Sequence, residues 1–410
     1  MHIVSLSYDR FPAPKGAATH IAAFATALAE AFGEVDLVTV QPLPEHEGWP
    51  LTLGEGVRHQ PLEALGATVI DRVLHFRQQM LAWWGSRKAD VLHFRSIYEG
   101  YPLACRKAEV CRKLVFEVNG LPSVELKYTY PAAADDRELQ RKLIAQEDVC
   151  LSAADLVLTV SEVNANYLRQ RGVEAHRLRV IPNGVHLEPF AYQPPAAWQT
   201  DEGADREIKL LYAGSMSSWQ GVPQAIEALA LYRRDFPARL LLAGEARPKQ
   251  RKELEAFIWQ QGVRPFVDWC GAVTQRELVA LHHACHAVLA PLRPNDRNQL
   301  QGCCPLKVLE AMACGTPLVA SDLPVVLELA RRDVDALLVR PGSPKAIKDA
   351  LLRFRESPAL RHAVSLSGRR RVERQFTWHH AQAALVQAYE EVLGCKRRNT
   401  SAKTFCSTAG

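Results

Sequence analysis

Two successive rounds of strand-sized apolar runs, each alternating with helical periodicities, constrain this chain more than any other feature of it. From Met1 to about Val185 the runs HIVSLSY, VDLVTV, DVLHFR, KLVFEV, DLVLTV and RLRVI are interleaved with segments such as HIAAFATALAEAF and RELQRKLIAQEDVCL. Apolar residues in the longer segments recur at the spacing of a helix that buries one face. Strands alternating with helices predict a mostly parallel sheet covered on both faces. The pattern breaks at AYQPPAAWQTDEGADRE, rich in proline and acidic residues, and restarts with KLLYAG, RLLLAG, FVDWCG, HAVLAPL, TPLVAS and ALLVR. The expected class is α/β, with one domain over residues 1–185, a linker at 186–207 and a second domain over 208–375. Residues 395–410 read as a polar, disordered tail.

Composition narrows the function classes. A chain of 410 residues with 48% hydrophobic and 23% charged residues has ample material for globular cores. No apolar run approaches the ~18–20 residues of a membrane span, and no charged and apolar leader opens the chain, so a cytoplasmic location is expected. The 10 cysteines are scattered without C-x-x-C or finger spacing, which fits reduced thiols. The net charge of +5 forms no basic stripe with interleaved aromatics, so no nucleic-acid partner is expected. That charge supports only a mild bias toward anionic ligands or an anionic membrane. Between Arg72 and Lys88, one helical face would carry Val73, Phe76, Met80, Trp83 and Trp84, with Arg77 and Arg87 near its edges. Such a face either packs on the sheet, its commoner use, or touches a membrane surface.

The chemistry-bearing segments follow predicted strands, where open α/β folds bind ligands. After the first strand, RFPAPKGAATH offers Gly16 for close backbone approach and a helix N-terminus suited to a phosphate or a hydroxyl. A dinucleotide fingerprint is missing, because the loop lacks G-x-G-x-x-G and the second strand ends at Gln41 rather than an acid. In GCCPLKVLEAMACGTPLVASDLP, Lys307 and Glu310 share a helix face near its start. There Lys307 can meet a phosphate and Glu310 can accept from the two hydroxyls of a ribose, although an ordinary surface ion pair has the same spacing. Asp333 and Asp335, just ahead of ALLVRPGS, spell D-x-D, the spacing by which two carboxylates can hold a divalent cation on a diphosphate.

That passage resembles the signature of the retaining, GT-B-fold glycosyltransferases of family four, in which two Glu residues frame the helix start before a small-residue A-x-x-x-G-x-P segment. GAATHIAAFATALAE, ADLVLTVSEVNANYL, VIPNGV, LLYAGSMSSWQGV and WCGAVTQREL resemble further family segments in the family's order, over about residues 1–390. The resemblance implies a GT-B fold of two Rossmann-like domains with mostly parallel sheets facing one cleft, acceptor side first and nucleotide-sugar side second. It also implies that the helix at 376–394 returns to the first domain. Glu310 matches the ribose-binding Glu, whereas Gly302 stands where the first Glu contacts the donor sugar, leaving Gly302, Cys303 and Cys304 to offer backbone groups.

Ser215 and Gln220 occupy the positions where many members place the Arg and Lys that clamp the pyrophosphate. Lys307 is the first candidate to replace that charge, ahead of Arg293 and Arg297. Asn119 falls where the family often has a His near the transferred sugar, His20 matches a position near the first loop, and Val273 belongs to the segment flanking the base.

The implied reaction moves a sugar from a nucleoside-diphosphate sugar to a saccharide or lipid-linked acceptor with retention, in polysaccharide or glycoconjugate assembly at the inner face of a membrane. No cofactor or metal is implied beyond the donor. An inert scaffold that binds saccharide, and a sugar epimerase of the same fold, are the alternatives.

Overall fold

A computed structural model describes residues 1–199 and 206–394. The first sheet has seven strands: β1 (Ile3–Arg10), β2 (Val35–Val40), β3 (Val57–Leu62), β4 (Ala89–Phe94), β5 (Cys111–Val118), β6 (Leu156–Thr159) and β7 (Leu178–Val180). Their order is β3-β2-β1-β4-β5-β6-β7, and every pairing is parallel. The second sheet comprises β8 (Ile208–Ala213), β9 (Ala238–Ala243), β10 (Val267–Gly271), β11 (Ala287–Ala290), β12 (Leu318–Ser321) and β13 (Leu337–Val339). It is ordered β10-β9-β8-β11-β12-β13, again wholly parallel. The near-continuous apolar runs follow from this, since helices cover both faces and strand residues of either parity are buried, as at Ile3, Val4 and Leu6.

In both sheets the chain reverses its direction of growth beside the first strand, between β1 and β4 and between β8 and β11. Such a switch point splays the connecting loops apart and leaves a crevice at the carboxyl ends of the strands. The loops after β1, β5, β8 and β11 all open there, and the two crevices face each other.

The helix Trp378–Leu393 lies on the first sheet, burying Trp378, Leu385 and Tyr389 with Ile3, Val35, Val91 and Val115. Of the proline-rich segment read as a linker, residues 200–205 lie outside the described residues, as does the tail at 395–410. Trp198 within that segment is buried in the second domain's core with Ile208 and Phe354, so this stretch is anchored rather than merely spanning.

The helix Val69–Trp84 buries Val73, Phe76, Met80 and Trp84 against the first sheet, the commoner use of such a face, while Trp83 is half-buried and Ile70, Leu74 and Leu81 are exposed. Among the described residues, no helix is long and apolar enough to cross a membrane.

Candidate active site

Two helix N-termini converge at the cleft. Gly16 opens the helix Gly16–Phe32, and a β-carbon there would lie 2.7 Å from Leu306 Cδ1, the first residue of the helix Leu306–Cys314. Each terminus presents unpaired N–H groups and a partial positive charge, the arrangement that receives an anion.

Lys307, one residue into the second of these helices, is buried. Its Nζ donates to Gln220 Oε1 at 2.8 Å and sits 4.1 Å from the centre of the Tyr212 ring. Gly214 makes room for it, because a β-carbon at that residue, whose φ is +137°, would lie 2.9 Å from Nζ. Burial lowers the Lys307 pKa to about 7, against the pull of Glu310. Glu310 is half-buried, and burial raises its carboxyl to about 7 although Lys307 draws it down. Among the described residues it makes no hydrogen bond or salt bridge, so its carboxylate is open to a ligand.

Arg297 supplies a second cation from the same side. Its guanidinium packs 4.8 Å from the Trp219 ring and meets Glu125 of the first domain at 2.9 Å. Lys307 and Arg297 therefore both reach the loop after β8, one through Gln220 and the other through Trp219. The positive charge lies across from Ser215 and Gln220 rather than on them. Ser215 is exposed, with its hydroxyl 3.3 Å from that of Ser217 and its carbonyl accepting from Tyr212 at 2.5 Å. Arg293 is exposed and is held through its backbone, its N–H donating to the Trp219 carbonyl at 3.0 Å and its carbonyl accepting from Asn298 Nδ2 at 2.8 Å.

The three residues 302–304 are less available than the sequence implied. Gly302 has φ +81°, and a β-carbon there would stand 2.6 Å from Ser161 Oγ and 2.8 Å from Asn164 N. Position 302, where the resemblance expects a Glu, is thus pressed against the first domain, with no room for a side chain. Cys303 and Cys304 are buried, and the Cys304 carbonyl already accepts from Asn183 Nδ2 at 2.9 Å. Burial raises both thiols, with Arg297 and Lys307 opposing it at Cys303. Val273 is half-buried just beyond β10 and packs on the second domain's core.

On the first-domain wall, His20 and Asn119 meet at a residue that sequence reasoning missed. Glu117, at the end of β5, is 2% exposed. His20 Nε2 lies 2.8 Å from its Oε1, His93 Nε2 3.0 Å from its Oε2, and Arg95 Nε 3.0 Å from its Oε1; Asn119 Nδ2 also donates to it. Burial works to raise this carboxyl, but His20 and Arg95 hold it well below the usual carboxylate range. The signal was a lone Glu inside the apolar strand LVFEV, since a charge in a doubly covered strand demands partners. The other ring nitrogen of His20 stands 2.7 Å from Asn183 Oδ1, so one asparagine touches both domains.

Further contacts bridge the cleft. Glu328 accepts from the backbone N–H groups of Glu162 and Val163 at 2.9 Å, capping a first-domain helix from the second domain. Gln301 accepts from Leu121 N at 2.7 Å, and His46 meets Glu245 at 2.7 Å. The D-x-D pair is structural, with Asp335 held by Arg331 at 2.8 Å and Asp333 by Arg353 at 2.8 Å.

Paired, wholly parallel α/β domains whose switch points face one cleft define the GT-B class. Residues 14–189 match the model of Glycosyltransferase Family 4, and residues 207–357 that of Glycosyl transferases group 1. The chain belongs to these family-4-type glycosyltransferases. It is 29% identical over 274 residues to a D-inositol 3-phosphate glycosyltransferase of Xylanimonas cellulosilytica, across 65% of this chain and 63% of that one. The chain thus matches somewhat less than two thirds of that relative's length.

Its fold is shared with sucrose-phosphate synthase from Thermosynechococcus elongatus, with TM-score 0.78, 21% identity, and 96% and 100% of the two chains covered. Anabaena HepE in complex with UDP and glucose aligns with TM-score 0.70 and 16% identity, over 95% and 100% of the chains.

Proposed function

We propose that this protein transfers a sugar from a nucleoside-diphosphate sugar to a hydroxyl of a saccharide or lipid-linked saccharide, with retention of anomeric configuration. The observation that carries the reading is the pair Lys307 and Glu310 at a helix N-terminus in the cleft, one cation tied to the β8 loop and one carboxylate left open. Glu310 accepts hydrogen bonds from the ribose diol. Lys307 and the two helix N-termini stabilise the pyrophosphate as negative charge builds on it, with Arg297 as the second cation.

The state of Glu117 supports a transfer without a covalent intermediate on that residue. Its carboxylate is spent on His20, His93, Arg95 and Asn119, so it cannot attack the anomeric carbon. The departing phosphate oxygen is then the base that takes the acceptor proton, on the same face of the sugar from which it leaves. Both ring nitrogens of the buried His20 are taken by Glu117 and Asn183, so it positions those residues rather than touching substrate, while the Asn119 amide oxygen orients a hydroxyl, and the contacts across the cleft exclude water that would hydrolyse the donor. The reaction fits polysaccharide or glycoconjugate assembly.

The test is thermal unfolding with UDP, GDP and ADP, followed by nucleotide release from UDP-glucose, GDP-mannose and ADP-glucose. The expected result is a raised melting temperature with one nucleotide and release of that nucleotide from its sugar. No shift with any of them leaves the inert scaffold as the reading, which the packing of Gly302 on Ser161 favours.

A further inference from the structure

Outside the cleft, the second domain carries a concavity of about 760 Å³, walled by the helix Pro248–Gln260, the turn around Gly262 and Pro265, and the edge strand β10. Leu254 and Ile258 bury the inner side of that helix. Arg251, Glu255 and Trp259 consequently form a stripe at four-residue spacing along the wall. Arg251 Nε donates to Glu255 Oε1 at 2.8 Å, and the same guanidinium lies 4.8 Å from the centre of the Trp269 ring on β10. Trp259 is 74% exposed, more than any other large apolar side chain among the described residues. Arg264 at the far end is exposed, and its guanidinium has no hydrogen bond or ion pair among the described residues.

We propose that this concavity is a second saccharide site, which holds pyranose rings of a glycan chain away from the cleft. The apolar C–H face of a pyranose stacks on an indole, while the hydroxyls around its rim need donors and acceptors close to the ring plane. Trp259 supplies the indole. Glu255 supplies the acceptor, and Arg251 and Arg264 supply flat, many-donor groups. Arg251 and Glu255 are already ordered by their own ion pair and by Trp269, so little side-chain freedom is lost on binding. The volume falls within the ~300–1,000 Å³ usual for small-ligand sites. With one carboxylate among the two arginines, the lining recognises hydroxyls rather than an anionic surface.

The site's position suits a glycan. Trp259 and the turn at Gly262 and Pro265 sit beside the amino end of β10 (Val267–Gly271), the end of the sheet away from the cleft. A glycan held on Trp259 and Trp269 is therefore tethered to the second domain without occupying the cleft. The inference rests on the sugar-transfer reading for the identity of its ligand, yet it uses no residue of the cleft.

The test is tryptophan fluorescence titration with maltohexaose, mannohexaose and an oligogalacturonate, on the parent and on Trp259→Ala and Arg264→Ala. The expected result is saturable binding of at least one oligosaccharide, weakened at least tenfold by Trp259→Ala and severalfold by Arg264→Ala. The nucleotide-induced melting shift should be unchanged in both variants. No saturable binding, or binding indifferent to Trp259→Ala, overturns the proposal. So does a dimer in sedimentation that Trp259→Ala dissociates, because Trp259 would then belong to a contact between copies. Saturable binding in a protein that responds to no nucleotide keeps this site and removes the transfer reading instead.

Discussion

Lys307 Nζ donates to Gln220 Oε1 across 2.8 Å, tying the first turn of the helix Leu306–Cys314 to the loop after β8. The resemblance leads one to expect a cation at position 220, and the glutamine there holds one supplied from the opposite side.

Removing that cation should cost donor binding. A hydrogen bond to a charged group contributes about 1.5–3 kcal/mol, so Lys307→Met should raise the dissociation constant of the preferred nucleoside diphosphate by about 10- to 150-fold. Isothermal titration of parent and variant measures this directly. Equal affinities would place the pyrophosphate elsewhere.

The pH dependence of stability has two windows with opposite signs. Glu310 is raised from 4.5 to about 7, so between those values the folded protein keeps a proton that the unfolded chain releases, and raising the pH lowers stability. Lys307 is lowered from 10.5 to about 7, so between those values the unfolded chain keeps a proton that the folded protein has lost, and raising the pH increases stability. Glu310→Gln should remove the falling limb and Lys307→Met the rising one. Urea unfolding of the donor-free protein across both windows is the measurement, and a variant with the parent's full profile would show that its residue is not the source.

Glu117→Gln should destabilise the first domain by about 3–5 kcal/mol, the loss typical of breaking a buried ion pair from one side. His20, His93 and Arg95 would all lose their shared carboxylate. Their pairing extends to the returning helix through His93 Nδ1 and Tyr389 OH at 2.7 Å. Denaturant midpoints together with tyrosine absorbance would register both the stability loss and the disturbed helix.

Gly302→Ala tests whether position 302 tolerates a side chain at the domain boundary. At φ +81° an alanine carries a left-handed penalty of about 1–2 kcal/mol, and its β-carbon would also press on Ser161 and Asn164. The expected outcome is a lower melting temperature and a larger radius of gyration by small-angle scattering, as the domains separate. A stable, equally compact Gly302→Glu variant would show that the cleft accommodates the missing carboxylate after all.

The α/β alternation and the Lys307–Glu310 spacing were legible because both are local. A strand buried on two faces must be apolar throughout, and residues three apart on a helix must share a face. The helix Val69–Trp84 shows the limit of that legibility. Its apolar stripe was plain, but whether a sheet or a membrane covers such a stripe depends on what the rest of the chain brings to it. Glu117 shows the same limit from the polar side: its oddness inside LVFEV was visible, whereas His20, His93 and Arg95 come from three distant segments.

The sequence by itself determined the two parallel α/β domains, and it placed Gly16, Lys307 and Glu310 at the mouths of strands, since periodicity and chain order dictate those. Only the tertiary structure decided that Arg297 joins Lys307 against one loop, that Gly302 is pressed on the first domain, and that Glu117 is saturated with partners. The reason is physical: charge placement in a cleft is set by which distant elements pack together, and burial gives those contacts their strength.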